Sequence, residues 1–582
     1  MAKILRVNMT SGAVRYEDVP EKYRLMGGRW LTSSLVSDEV DPTCHPLGPN
    51  NKLVFAPGIL TGTAAPSSAR LSVGGKSPLT GGIKESNAGT KFASMQARLG
   101  LKAIVVEGQP KDGRWYVLEI NKDGARLVPA DDLAGKSTYE TTSALVGKYG
   151  KVGVSCIGPA GEMKMGMAGV CFNDLADRAS RYSGRGGLGA VMGSKGLKAI
   201  VVDDKGAAGV SVADQALFDQ GRKKLTEALR THDITKPQGG LNTYGTAVLV
   251  NILNEAGGLP TRNFSSGRFV GAPKIAGEAI FEGNKQRLGK ELYNHACSPG
   301  CIIQCSNTWH SADGKEIVSC IEYETTWAMG ANCEIDDLDV IGKLTWLCND
   351  IGLDTIEAGG TIAVAMEAGV IPFGDGPGAI GLLEEVRKGT PLGRIIGNGA
   401  ATTGRTFGVV RVPGVKGQNM PAYEPRAVKG IGVTYATTPM GADHTAGYTI
   451  APEILGVSGK VDPLALTAKG ELSRNFQIAT AFIDTTGHCL FIAFAILDIP
   501  SGFEGMVEEC AGLLGTKWTA DDVNRIGAEV LLKERAFNEA AGFSKSDDRV
   551  PEFMKYEPLP PHNVVWDVPD AEVDAVFGGL GR

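Results

Sequence analysis

The chain has 582 residues, of which 43% are hydrophobic and 21% charged, with 79 glycines and a net charge of −6. That length exceeds what one core can organise and implies about two to four domains. No basic or acidic block is present, which excludes nucleic acid and charged membrane surfaces as partners, and the high glycine content favours loop-rich architecture with close backbone approaches.

Met1 to Arg6 runs into a strand pattern with no apolar signal core. The longest apolar run, Cys489 to Leu497, is about half of what a spanning helix needs, so a cytoplasmic protein without membrane insertion is expected. In such a reducing compartment the 11 cysteines read as free thiols or metal ligands rather than disulfides.

Residues 3–18 read as a hairpin with its turn at Ser11-Gly12. Short β-rich runs at 53–56, 70–73 and 103–106 then alternate with Gly-rich loops. A second hairpin is predicted over 114–128, buried strands at 152–157 and 198–202, and a Gly-rich loop at Gly184–Gly189. Helical periodicity takes over after Ser211, with helices predicted over 215–231, 244–255, 337–351, 354–368, 382–388 and 392–407. A loop-rich stretch follows through His444, then helices to about Gly542 and a Pro-rich tail. The fold class is therefore α+β: a β-rich N-terminal domain over 1–205, then two mainly helical regions over 206–410 and 411–582.

The most informative stretch is Cys297-Ser298-Pro299-Gly300-Cys301-Ile302-Ile303-Gln304-Cys305. Three thiols on one polar, turn-rich loop suit an inorganic centre better than apolar packing. Iron–sulfur clusters usually take four thiolates, so a fourth is expected from Cys320, Cys333, Cys348 or Cys489. Structural zinc ranks second, because no paired C-x-x-C knuckle accompanies the loop, and three metal-free thiols rank third. Two further segments pair up: Asp350-Ile351-Gly352-Leu353-Asp354 and Asp484-Thr485-Thr486-Gly487-His488-Cys489. Each reads as a helix end with Gly at its C-cap, carries an acid shortly before that Gly, and has a potential ligand or acceptor two residues after it.

At this point the chain resembles the tungsten-containing aldehyde:ferredoxin oxidoreductases. The resemblance runs through nearly the whole sequence: Lys3–Asn8, Ser77–Gly81, Gly158–Glu162, Arg185–Lys195, Leu259–Phe264, Glu322–Thr325, Leu347–Thr355, Tyr435–Thr437 and Gly441–His444. It implies tungsten or molybdenum held by two pterins, a [4Fe–4S] cluster beside them, and Mg²⁺ between the pterin phosphates. By the same match Asp350 and Asp354 hold one pterin and Asp484 the other. Cys489 joins Cys297, Cys301 and Cys305 on the cluster, and Arg70, Asn87 and Arg185 belong to the cofactor site. Asn87 and Ala190 would offer carbonyls to Mg²⁺. His488, where relatives often carry Leu, is either a hydrogen-bond donor to the cluster or a surface-directed helix-end histidine. Glu324 and His444 match catalytic positions, with Glu322 as the alternative carboxylate, and Tyr423 matches a pocket tyrosine. Cys320 and Cys333 are expected to be buried small side chains, and His295 and His310 to be structural or near the electron exit.

Two departures from the family pattern stand out. The cysteine loop reads C-x-x-x-C-x-x-x-C, where the founding enzymes have C-x-x-C-x-x-x-C. The helix after Glu324 reads Lys343-Leu344-Thr345-Trp346 where some members carry E-x-x-H for an iron that bridges subunits, so no bridging-iron dimer is expected. The expected function is oxidation of an aldehyde to its acid, with electrons leaving through the cluster to ferredoxin or a small Fe–S subunit. The second reading is a catalytic subunit of a larger electron-transfer complex acting on a non-aldehyde such as an aromatic acyl-CoA. The third is a non-catalytic Fe–S electron-transfer protein.

Overall fold

The computed structural model of the chain describes residues 2–580. Its first third contains two six-stranded sheets. The first is built from Lys3–Asn8 (β1), Ala13–Asp18 (β2), Leu53–Pro57 (β3), Arg70–Lys76 (β4), Ile83–Gly89 (β5) and Leu101–Glu107 (β6), in the order β2-β1-β6-β3-β4-β5. The second comprises Tyr116–Asn121 (β7), Gly124–Pro129 (β8), Gly153–Cys156 (β9), Val170–Asn173 (β10), Ala179–Ser183 (β11) and Leu197–Val202 (β12), in the order β11-β10-β9-β12-β7-β8. Both predicted hairpins are present, as β1–β2 and β7–β8.

Side-chain alternation tells each sheet which layer it faces. On the first sheet Leu5, Val7, Leu53, Phe55, Ile104 and Val106 share one core with Leu118, Ile120, Phe172 and Ile200 of the second sheet. Their neighbours Ile4, Val54, Ala56, Ala103 and Val105 point the other way, into the large core shared with the helix Gly28–Glu39 and the helical part of the chain. The outer face of the second sheet, with Val117, Val154, Cys156 and Val201, forms a separate cluster with Leu145 of the helix Thr138–Tyr149.

Beyond Val202 the chain is mainly helical. The predicted helix 215–231 is present as Gln215–Thr231, capped by Asp214. The helix expected over 244–255 is instead broken into Gly240–Tyr244, a 3₁₀ turn Thr246–Val248, and Leu249–Glu255. Gly245 causes the break, with φ 65° and ψ −170°. Likewise 392–407 is interrupted between Ile396 and Ala400, where Gly399 has φ 91°. Asp337 and Asp354 are not helical residues but N-caps, accepting from the backbone of the next turn. The stretch expected to be loop-rich before His444 also contains a helix, Lys429–Thr437. No helix among the described residues is long and apolar enough to cross a membrane.

Candidate active site

The two paired segments end two helices, Leu338–Ile351 and Lys469–Thr486, with Gly352 (φ 86°) and Gly487 (φ 89°) as left-handed C-caps. Each helix end plugs into one of the two sheets. The first meets the second sheet: the Asn349 carbonyl accepts from Thr138 Oγ1 at 2.6 Å and from the Tyr182 hydroxyl at 2.5 Å, and Gly169 N–H donates to Gly352 O at 3.0 Å. The other meets the first sheet: Ile59 N–H donates to Thr485 O, Leu60 N–H to Thr486 O and Arg70 N–H to Gly487 O. Gly58 is required here, since a Cβ on it would lie 2.0 Å from the Gly487 Cα.

The same strap at 58–70 gathers the cysteines. Ser67 N–H donates to Gly300 O at 2.9 Å, and Ser67 Oγ accepts from Ile302 N–H at 3.2 Å, which docks the cysteine loop. Ser67 O accepts from Cys489 N–H at 2.9 Å, which docks the fourth thiol. Cys297, Cys301, Cys305 and Cys489 thus face one another across a common space, close enough to affect one another's ionisation. The neighbouring thiol of Cys301, then Arg181 and Arg70, favours the thiolate of Cys297. Burial pushes the Cys489 thiol up, against the pull of Arg70. Gly89 lines this space, and a Cβ there would meet the Cys297 Sγ at 3.0 Å.

Beside the cysteines lies a cleft with ≈ 1380 Å³ of empty space out to where it meets solvent. Its floor is made by residues of β5 and β11, the edge strands of the two sheets. Four guanidinium groups enter it: Arg29, Arg70, Arg181 and Arg185. Arg70 donates to the Asn87 side chain across the β4–β5 ladder. Arg185 is fixed by the carbonyls of Ala442 and Asn419, each at 2.7 Å, and by Asp354 Oδ2 at 3.3 Å. Arg29 is buried, forms a two-point ion pair with buried Glu534 (2.9 and 2.8 Å), and reaches Asp484 Oδ2 at 3.3 Å. Burial pushes the Asp484 carboxyl up to about 6, against Arg29 and Arg70. Burial, then Asp484, pushes Glu85 up to about 8.

Arg29 was not expected from the sequence, although Gly27-Gly28 before it marks a close approach: a Cβ on Gly28 would lie 2.1 Å from Asp484 O. Replacing Arg29 by Leu leaves Glu534 buried without its partner. The expected loss of stability is about 3–5 kcal/mol, read as a lowered denaturant midpoint; a loss below about 1 kcal/mol would mean the pair is solvated.

At the far end of the cleft His444 lines the wall, and two further sequence-predicted residues, Glu324 and Tyr423, pack against it from outside the lining. His444 Nε2 lies 3.3 Å from Glu324 Oε1, while Glu324 Oε2 accepts from Ala422 N–H at 3.0 Å. The Tyr423 ring is 5.7 Å from the imidazole, and its hydroxyl meets that of Tyr448 at 2.9 Å. Burial pushes Glu324 up to about 8 and His444 down to about 4. Asp443, also buried, is nevertheless held well below the usual carboxylate range by Lys84 and Arg185. Near neutral pH the pair therefore holds one proton on the carboxyl, facing a neutral imidazole. Glu322, the alternative carboxylate, itself lines the cleft, on the cysteine side near Arg181, where it accepts from Thr246 at 2.7 Å and Ser306 at 3.3 Å.

Several expectations need correction. Asp350 does not line the cleft; it is turned away and pairs with Arg387 at 2.7 Å. Counted back from the capping glycine, the residue equivalent to Asp484 is Asn349, and Asn349 does line the cleft. One residue is about 100° of helix rotation, enough to move a side chain from one face to another. Ala190 does not line the cleft either: it is buried within the helix Leu188–Ser194. His488 neither faces the cluster space nor reaches the surface. It is fully buried, with Nδ1 2.9 Å from Thr486 Oγ1 and Nε2 3.1 Å from Glu509 Oε2. Cys320 lines the cleft and is not fully buried, contrary to expectation, whereas Cys333 is buried against the Ala328 and Gly359 carbonyls. His295 and His310 are half-buried structural residues, bonded to Arg178 and Asn284.

Comparison with known proteins places this cleft in context. A family model described as "Aldehyde ferredoxin oxidoreductase, N-terminal domain" matches residues 4–204, and one described as "Aldehyde ferredoxin oxidoreductase, domains 2 & 3" matches 220–575. A tungsten-containing aldehyde ferredoxin oxidoreductase of Pyrococcus horikoshii is 37% identical over 581 residues, covering 96% of this chain and 92% of the relative. The WOR-like subunit of an aliphatic sulfonate oxidoreductase of Pyrococcus furiosus is 25% identical, covering 98% and 92%. Among solved structures, the active-site complex of a benzoyl-coenzyme A reductase shares the fold, with a TM-score of 0.77 at 18% identity, covering 99% of this chain and 93% of that one.

Proposed function

The chain belongs to the aldehyde ferredoxin oxidoreductase family and is an oxidoreductase of that kind, and we propose that it oxidises an aldehyde to its carboxylic acid at a tungsten (or molybdenum) bis-pterin. In this reading an aldehyde and a water become an acid, two protons and two electrons. When bound, the metal bis-pterin supplies the two-electron redox and oxygen-transfer chemistry.

The residues of the cleft suit that cofactor. Arg70, Arg181 and Arg185 answer pterin phosphates, Arg29 holds Asp484 in place, and the Asp354 and Asp484 carboxylates answer the ring N–H groups. A Mg²⁺ between the phosphates belongs to the same reading, near Asn87 and without Ala190. The four thiols suit a [4Fe–4S] cluster, and Arg70, touching both spaces, links the cleft to it. Among the described residues no group of three or more His, Cys, Asp or Glu could hold a single metal ion.

The single observation that carries the proposal is the Glu324–His444 pair, 3.3 Å apart, with the imidazole lining the end of this cleft. Glu324 takes the proton from the attacking water, and His444, held neutral by burial, relays it outward or polarises the aldehyde oxygen. Tyr423 lies against the imidazole and restricts its rotation. Held by Cys297, Cys301, Cys305 and Cys489, a [4Fe–4S] cluster would supply the one-electron exit toward ferredoxin or a small Fe–S subunit. The test is aldehyde-dependent viologen reduction by anaerobically purified protein. Turnover of no aldehyde by a metal-replete preparation favours the reading as a subunit that acts on a non-aldehyde.

A further inference from the structure

One buried charge near the catalytic pair belongs neither to the cleft wall nor to the cysteine space: Lys84. It sits on β5, one residue before the run Glu85–Gly89 that lines the cleft, and its side chain is fully buried. Its stem runs over Gly186 (φ 81°), where a Cβ would lie 2.5 Å from the Lys84 Cγ. The ammonium ends at the segment that carries His444, donating to Met440 O at 3.3 Å and to Asp443 Oδ2 at 3.4 Å. Arg185 Nη1 and Gln418 Nε2 donate to the carbonyl between these two, Ala442 O, each at 2.7 Å. The residues just before His444 are thus pinned by donors from three separate parts of the chain.

Asp443 connects this clamp to the imidazole. Its Oδ1 accepts from Thr445 N–H at 3.0 Å and from Thr445 Oγ1 at 2.8 Å, which caps the turn His444–Ala446. The same oxygen lies 3.9 Å from His444 Nδ1, a buried nitrogen with no hydrogen-bond partner among the described residues. On the other side of the ring Nε2 faces Glu324. Burial works against the charges of both Lys84 and Asp443, and each offsets that penalty for the other, with Arg185 as a second cation beside Asp443. A neutral imidazole carries its hydrogen on one nitrogen only. A carboxylate beside Nδ1 favours the hydrogen there, which leaves the Nε2 lone pair toward Glu324. That is the tautomer able to take a proton from the Glu324 carboxyl, and the imidazolium so formed would face the Asp443 charge.

We propose that Lys84 is a positioning residue for the reaction: it holds Asp443 ionised and in place, and Asp443 fixes the His444 tautomer that accepts the Glu324 proton. Lys84 lies outside the cleft lining, so it acts through Asp443 rather than on substrate. The inference rests on the Glu324–His444 assignment above, and it deepens that reading by naming the residues that set the direction of proton transfer through the imidazole.

The test uses the anaerobic holoenzyme and two readouts. The first is kcat and KM for an aldehyde, per bound tungsten or molybdenum, in Lys84→Met, Asp443→Asn and the double variant. Methionine keeps a buried stem over Gly186 and removes the charge; Lys84→Gln, which keeps an N–H donor without the charge, is the second variant and should behave alike. Each single variant should lose at least about tenfold in kcat while KM changes by less than about threefold. The double variant should lose no more than the larger single loss, because Lys84 acts through Asp443. The second readout needs no turnover: the ¹⁵N spectrum of the histidine rings in the oxidised protein, with the His444 signals identified by their loss in His444→Asn. The chain has only seven histidines, which keeps that spectrum simple. Wild type should carry the His444 hydrogen on Nδ1, and the Lys84 and Asp443 variants should shift it toward Nε2. A wild-type hydrogen on Nε2, full kcat in both Lys84 variants, or independent losses that multiply in the double variant would overturn the proposal. If the tautomer is as expected and shifts in the variants but no aldehyde is oxidised, the positioning role stands and the aldehyde reading falls.

Discussion

Glu324→Gln should retain its metals and lose turnover by about 10²–10⁴-fold, the range for removing a positioned general base. The amide keeps the acceptor for Ala422 N–H but can no longer take a proton. His444→Asn should lose less, because the base remains. In wild type the rate should rise with pH as Glu324 ionises, with a midpoint near 8, since burial has pushed its carboxyl to about 8. Stability should move the opposite way. A carboxyl raised from its ordinary 4.5 to about 8 holds its proton in the folded state while the unfolded chain has released it. Its contribution is therefore fully present below 4.5 and is lost as pH rises, at about 1.4 kcal/mol per pH unit, until the folded group also ionises near 8. Glu324→Gln removes that loss, so the inactive variant should unfold at higher denaturant than wild type at pH 8. A variant both inactive and less stable at pH 8 would make Glu324 a structural residue.

The second large effect is expected at Cys489. Cys489→Ser keeps the backbone bond to Ser67 O but removes a thiolate that lies almost two hundred residues from the other three. Loss of one of four ligands should lower bound iron and slow electron exit to viologen or ferredoxin by at least about 10²-fold. Iron analysis and the low-temperature electron paramagnetic resonance signal of the reduced protein report the change. Cys320→Ser, the same substitution on a thiol that lines the cleft but lies outside the four, is the matched control and should keep its iron. Full iron and a normal cluster signal in Cys489→Ser would remove Cys489 from the ligand set.

Features carried by local chemistry were legible in the sequence. The three-cysteine loop announced itself by Pro299, Gly300 and its thiol spacing, and the two helix ends by their capping glycines. The α+β division follows from strand runs giving way to helical periodicity after Ser211. What failed was rotation and register. The family match assigns Asp350 to a pterin, yet one step around the helix sends its side chain to Arg387 and leaves Asn349 lining the cleft. The family match makes Ala190 a carbonyl donor to Mg²⁺, but the Gly-rich run before it closes into the helix Leu188–Ser194, which buries Ala190. The break at Gly245 was invisible because an amphipathic pattern continues across it.

Residues that act by long-range pairing left almost no local trace. Arg29, Lys84 and Arg181 are isolated basic residues in otherwise ordinary strands and helices. Their roles appear only when Asp484 and Glu534, Asp443, and the cysteine loop arrive from distant parts of the chain. His488 is the reverse case. Its position beside a cluster ligand suggested a role toward the cluster, but the capping turn at Gly487 rotates it into the core against Glu509.

The most direct test of the account is the metal content of the chain purified without oxygen, measured alongside its aldehyde-dependent reduction of viologen. The account predicts about one tungsten or molybdenum and about four irons per chain, with activity that scales with the tungsten or molybdenum. Iron bound to the chain with neither tungsten nor molybdenum, in a preparation that still oxidises aldehydes, would contradict it.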